Sequence, residues 1–461
     1  MLKIEKTNIK NNYTNLSNRK NNTPSFKSNP YAAMDTGTKL LNTFIKSQEN
    51  LSSTRFIQDT ATNWLPKAIF SRSKADFAEM SFLEFLESGI FYFAPPVLGE
   101  HLFRNKIFKS IQKPEIKDKV TELIPKSVEA IKNNKNLTEG LKRQTIATKA
   151  GIALACASIP VAEYNLSFAK NLFTLKTFKK ADFNNIANLD KTGEIKEDEK
   201  RQQTVEKHSK EQLKKAAIYS GAALLGGIAL AKFGAKSDKL QRASEIFLEP
   251  GKEISKGLHK AGIKKEGLDN FLSEYLKLDF NEDKGKLALS KGQLAVTAIS
   301  GLFGYSKAAE DRGELDKKEV WTRVPLVVFY TIFGSSLFDA GFKKILAAKN
   351  KFPDLIQKTD KGEIKDVPKS TELPNIAESA AKLKNTNAKD ELKRLTKEKA
   401  IITGVPYTFS LLFMGFTLSL ITRLWTQYRY DKTHKNKDTA DFQNSHKEFT
   451  KDFDKAFNAF R

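Results

Sequence analysis

Residues 400–422 read AIITGVPYTFSLLFMGFTLSLIT, twenty-three residues without a charge, held between Lys397-Glu398-Lys399 and Arg423. At 1.5 Å of rise per residue, a helix of that length crosses a hydrocarbon core of ~30 Å with room for tilt. Trp425, Tyr428 and Tyr430 follow it, where an interfacial aromatic belt would stand. Pro406, in its first third, predicts a kink. This stretch sets the expected fold class: an all-α, polytopic helical membrane protein.

Working outward, further apolar segments lie near 82–98, 146–163, 216–231, 292–306 and 324–342, which makes five or six hydrophobic helices joined by long Lys-rich loops. The uncharged core of each middle segment is shorter than a spanning helix normally needs, so a buried helix of a soluble core is the competing expectation. Lysine stems at the segment ends lengthen the effective span by snorkelling. Ala217, Gly221, Ala222, Gly226 and Gly227 form small-xxx-small pairs, as do Gly301 and Gly304 with their neighbours. Such residues let helices approach closely in lipid, whereas each Gly costs ~1 kcal/mol in an ordinary soluble helix. Pro95-Pro96 predicts an end or a bend after 82–94. Five basic residues within fifteen positions precede 400–422 and five follow it, so charge asymmetry sets no orientation.

Three regions are expected. Residues 1–50 are Lys/Asn-rich with little apolar content and read as a disordered basic tail without a secretory signal. Residues 51–430 form the helical membrane domain. Residues 431–461 carry an amphipathic helix in which Phe442, Phe449, Phe453, Phe457 and Phe460 share about 80° of arc, a face suited to a bilayer surface or to closing the protein's own core. Between segments, turns such as Asp311-Arg312-Gly313-Glu314 recur without a fixed period and read as punctuation. Residues 370–399 read as one or two amphipathic helices.

The 461 residues carry 78 Lys+Arg against 54 Asp+Glu, a net charge of +24, with a mean hydropathy of −0.46. Of the basic residues 65 are Lys and only 13 Arg, and they are spread along every polar segment. Nucleic-acid readers lean on the planar Arg fork, so nucleic acid is not the expected partner. Anionic lipid is. The single Cys156, inside an Ile/Ala/Leu run, excludes a disulfide framework and reads as a small hydrophobe.

No phosphate-binding loop, dinucleotide fingerprint or zinc-protease motif occurs, and the five histidines are scattered. No enzyme activity, cofactor or metal is expected. One loop, with Asn188, Asp190, Thr192 and Glu199 around Gly193, resembles an EF-hand loop in spacing. Asn at its first position and Lys196 at its ninth make a plain turn the expected reading. Carboxylates within apolar segments are costly and mark functional sites by default, which singles out Glu84, Glu87, Glu163 and Asp339. Against that stands an interfacial helix over 74–94 whose glutamates face water, with Lys149 or Arg323 pairing any buried acid.

The expected role is a non-enzymatic membrane scaffold or envelope-organising protein of the bacterial inner-membrane type. A small-solute or ion carrier using the intramembrane acids is the first alternative. A soluble helical protein that binds anionic membrane surfaces is the second.

Overall fold

Helix start signals in the sequence are used where they occur. Ser73 caps the helix at Lys74 by accepting from the Asp76 amide, Thr138 caps the one at Glu139, and Ser290 with Gln293 forms a reciprocal capping box. The computed structural model describes residues 30–32, 34–49, 53–190, 197–283, 286–359 and 362–434.

In chain order the helices begin with α1 Thr36–Glu49, α2 Ser53–Ile69, α3 Lys74–Ala94, α4 Lys117–Leu123, α5 Val128–Asn133 and α6 Glu139–Ala155. There follow α7 Ser158–Phe178, the short α8 Phe183–Ile186, the long α9 Glu199–Phe233, α10 Asp238–Leu248, α11 Pro250–Lys260 and α12 Glu266–Tyr275. A two-stranded hairpin, β1 Asn281–Asp283 and β2 Lys286–Ala288, pairs antiparallel with Glu282 opposite Leu287. The chain then runs through α13 Lys291–Glu310, α14 Glu314–Phe329, α15 Ser335–Ala348, α16 Leu373–Lys384, α17 Ala388–Ser410 and α18 Leu418–His434. The protein is mostly helical, in keeping with an all-α class.

The described residues fall into two compact units, one within 1–49 and 345–403 and the other within 50–344 and 404–461. In the smaller unit Ile45 of α1, Leu373 of α16 and Leu392 and Leu395 of α17 are fully buried. Glu49 closes it by accepting from the Ser370 amide (2.9 Å) and hydroxyl (2.6 Å) and pairing with Lys399 (3.1 Å). Residues 36–49, expected within a disordered tail over 1–50, are therefore helical instead. The modest apolar content of α1 suffices because Thr38, Asn42 and Ile45 recur at helical spacing on one buried face, with Ser47 buried on the opposite side.

In the larger unit an apolar core gathers Phe103, Phe108, Val120, Ile124, Ile131, Ile146, Ile152 and Phe280. Each such side chain contributes roughly 1.5–3 kcal/mol on burial. Two helix crossings depend on glycine. A Cβ on Gly151 of α6 would stand 2.4 Å from the Gly227 carbonyl oxygen of α9, and one on Gly304 of α13 would stand 2.0 Å from that of Tyr164 of α7. Only backbone hydrogens fit there.

Pro95-Pro96 does not end the helical path. The chain continues from α3 through a wide i→i+5 stretch, Pro95–Phe108, whose larger turn accommodates the proline rings and their missing donors. The segment 146–163 is divided at 156–157, and Pro160 falls in the first turn of α7, where its absent N–H has no helical partner to lose.

By length and composition four helical paths are able to cross a membrane: Glu139–Phe178, Glu199–Lys236, Glu314–Ala348 and Ala388–Thr433. The segments near 82–98 and 292–306 are helical but fall short of that measure. The apolar window of the first path is 67% buried, whereas those of the other three are only 11%, 6% and 17% buried.

Candidate functional site

Helix α3 carries Asp76, Glu79, Glu84 and Glu87 within about 140° of arc at 100° per residue, one broad side of the helix. That side is the inner one. Asp76, Glu79 and Glu84 are buried, while Phe77, Phe85, Leu86 and Phe93 are exposed, Phe85 at 52%.

Glu84 is ion-paired with Lys67 of α2. Glu87 is partly buried, with Tyr305 of α13 beside it. Arg323 of α14 lies within electrostatic range of Glu87, Lys67 and Tyr305. Glu163 of α7 lies within electrostatic range of Glu84 and Glu87 and is 2% exposed. Its Oε1 lies where a Cβ on Gly301 would come within 2.9 Å, and its buried Oε2 has no hydrogen-bond partner among the described residues. Three of the four acids singled out in the sequence thus share one neighbourhood. The fourth does not join them: Asp339 bonds Lys343 one turn along α15, at 2.6 Å.

The interfacial alternative, with water-facing glutamates over 74–94, does not describe Glu84, which is buried against Lys67. Nor is Lys149 a partner for these acids. It pairs instead with Asp279 at 2.6 Å, both fully buried, and donates to the carbonyls of Ile124 (2.7 Å) and Lys126 (2.6 Å). Asp279 also accepts from the Val128 amide at 3.3 Å. Burial pushes the Asp279 carboxyl up, and the positive charge of Lys149 only partly offsets this.

A second buried charge group lies at the start of α3. Arg312 spans the two Glu79 oxygens (3.0 and 3.1 Å), Asn171 (2.9 Å) and Asp316 (3.2 Å), and Lys170 stands 3.7 Å from Glu79. Arg72 makes a fork onto Glu319 (3.0 and 3.1 Å) and reaches Asp76 at 3.4 Å, with Arg423 at 3.5 Å from the same carboxylate. The ring of Phe183 lies under both Arg72 (5.4 Å) and Arg312 (5.8 Å). Four cations (Arg72, Lys170, Arg312, Arg423) thereby face four carboxylates (Asp76, Glu79, Asp316, Glu319).

Sequence reasoning missed this group. Arg312 sits in a turn read as punctuation, yet it is 1% exposed. The available signal was its place between two apolar segments, where a charge needs partners.

Of the EF-hand-like loop, Thr192 lies outside the described residues; Asn188 takes a left-handed backbone (φ 48°) and Glu199 opens α9. Among the described residues no group of three or more His, Cys, Asp or Glu is placed to hold a metal ion. The Phe stripe at 442–460 also lies outside the described residues. Cys156 is buried beside Gly99. Nothing among family models, curated proteins or solved structures matches this chain.

Proposed function

We propose that this chain is an integral membrane protein of non-enzymatic, scaffolding type, set in a bilayer crossed by helices, as in a bacterial inner membrane, and in contact with anionic lipid. The observation that carries the reading is the inverted amphipathicity of α3, which turns carboxylates inward and phenylalanines outward. In water that arrangement is doubly unfavourable, since it buries charge and exposes several large apolar side chains. In hydrocarbon it is the favourable one. The sparsely covered apolar windows of α9, α14–α15 and α17–α18 support the same setting, with Leu225 69% and Leu412 52% exposed. A scaffolding role fits a sequence that joins these helices to a second compact unit, drawn from 30–49 and 345–403.

Washing membranes with alkaline carbonate tests the setting. The chain is expected to stay in the pellet and to leave it only with detergent. Recovery in the carbonate supernatant would replace this reading by the peripheral one. A carrier reading is favoured by one specific observation, the unequal charge around Glu163.

A further inference from the structure

The three buried charge groups differ in one respect. Around Arg312 four cations meet four carboxylates, and Lys149 meets Asp279 one to one. The group on the inner side of α3 holds three carboxylates, Glu84, Glu87 and Glu163, against two cations, Lys67 and Arg323. With every group ionised it carries one uncompensated negative charge, which an apolar interior does not tolerate. Lys67 is ion-paired with Glu84, and Lys67, Arg323 and Tyr305 lie within electrostatic range of Glu87. The unanswered carboxylate is Glu163, whose buried Oε2 has no partner among the described residues.

We propose that Glu163 is a proton-exchange site, at which the carboxylate takes up one proton from the aqueous phase and later releases it. The step makes and breaks a single O–H bond and changes nothing else. The neighbours of Glu163 fix the charge against which it acts. They are Glu84 and Glu87 from α3, Tyr305 from α13, and beyond them Lys67 and Arg323 from α2 and α14. Helix α9, which also packs on α7, brings no charge over 216–231. A proton suits this place better than a metal ion, because the carboxylates converge without forming a ligand set.

The inference does not rest on the membrane reading, because the test runs on the full chain in whatever state it purifies, in detergent or in buffer. Dicyclohexylcarbodiimide attacks protonated carboxyls in apolar surroundings, and peptide mass spectrometry locates the adduct. Glu163 is expected to be labelled, with a yield that falls at least tenfold as alkaline pH removes the proton. Glu163→Gln should abolish the adduct; the wild-type pH series needs no variant to fold. Three results would overturn the proposal. One is labelling that is flat with pH, which marks a permanently neutral structural carboxyl. Another is labelling confined to Glu84 or Glu87. The third is protection by sodium chloride but not choline chloride at constant pH, which would make the occupant a metal cation.

Discussion

Arg312 answers Glu79 and Asp316 and is held in turn by Asn171, so its removal leaves two buried carboxylates with too few cations. Arg312→Met should therefore destabilise the larger unit by about 3–5 kcal/mol, the usual cost of breaking a buried pair from one side. Combining it with Glu79→Gln and Asp316→Asn should restore part of the loss, since the orphaned charges go with it. Thermal unfolding followed by tryptophan fluorescence reads both effects. A single variant within ~0.5 kcal/mol of wild type would mean that Arg312 is not buried as described. At this scale the sequence is unevenly legible. Glu84, Glu87 and Glu163 stand out because each interrupts an apolar run. Their surroundings do not, because Lys67 is 17 residues from Glu84 and Arg312 is 233 from Glu79. Arg312 was hidden by its own turn, since Asp-Arg-Gly is the composition of an exposed loop as much as of a buried anchor.

An element shows the environment in which its faces are stable, and two substitutions test that. Leu412 is 52% exposed within the wide turn Leu411–Thr417. In water, Leu412→Asp at such a site would change stability by no more than ~0.5 kcal/mol. In a bilayer it should cost ~3 kcal/mol of insertion and lower the membrane-integrated fraction, which glycosylation-site mapping measures. Unchanged integration would argue that this face meets water. Glycines separate in the same way by what lies beside them. Gly304→Ala sets a methyl group against the Tyr164 carbonyl and should cost about 1–3 kcal/mol as α7 and α13 are forced apart. Gly221→Ala, with nothing within 4 Å of the new Cβ, should be neutral or stabilising. Equal melting temperatures for the two variants would dismiss the close crossing. The helices at 400–422 and 216–231 were readable from uncharged length alone. The path through Pro95-Pro96 was not, because proline forbids the α-helical bond without forbidding a wider turn.

The division of the molecule into two units lies beyond local pattern, because the smaller one is closed by Glu49 binding Ser370, 321 residues away. The same unit contains a charge knot that gives it a defined response to acid. Arg394 donates to Asp354 (2.5 Å), Glu391 (2.6 Å) and Glu398 (2.6 Å), and Lys384 reaches Asp354 at 2.9 Å. Burial alone would raise the Asp354 carboxyl, but the hydrogen bonds and positive charge of Lys384 and Arg394 outweigh it and hold it below its ordinary value. A carboxyl held low when folded binds fewer protons folded than unfolded. Its stabilisation is therefore complete above its unfolded value of about 3.9 and disappears as pH falls through the lower folded value. Hydrogen exchange, corrected for intrinsic rates, should show residues 36–49 and 373–384 losing protection in that acid range. In Asp354→Asn the neutral amide cannot hold Arg394 and Lys384 by charge, so protection there should already be lower at neutral pH and should depend less on acid. An acid transition of the same size in wild type and variant would assign the response to other carboxylates and remove Asp354 from the closure of this unit.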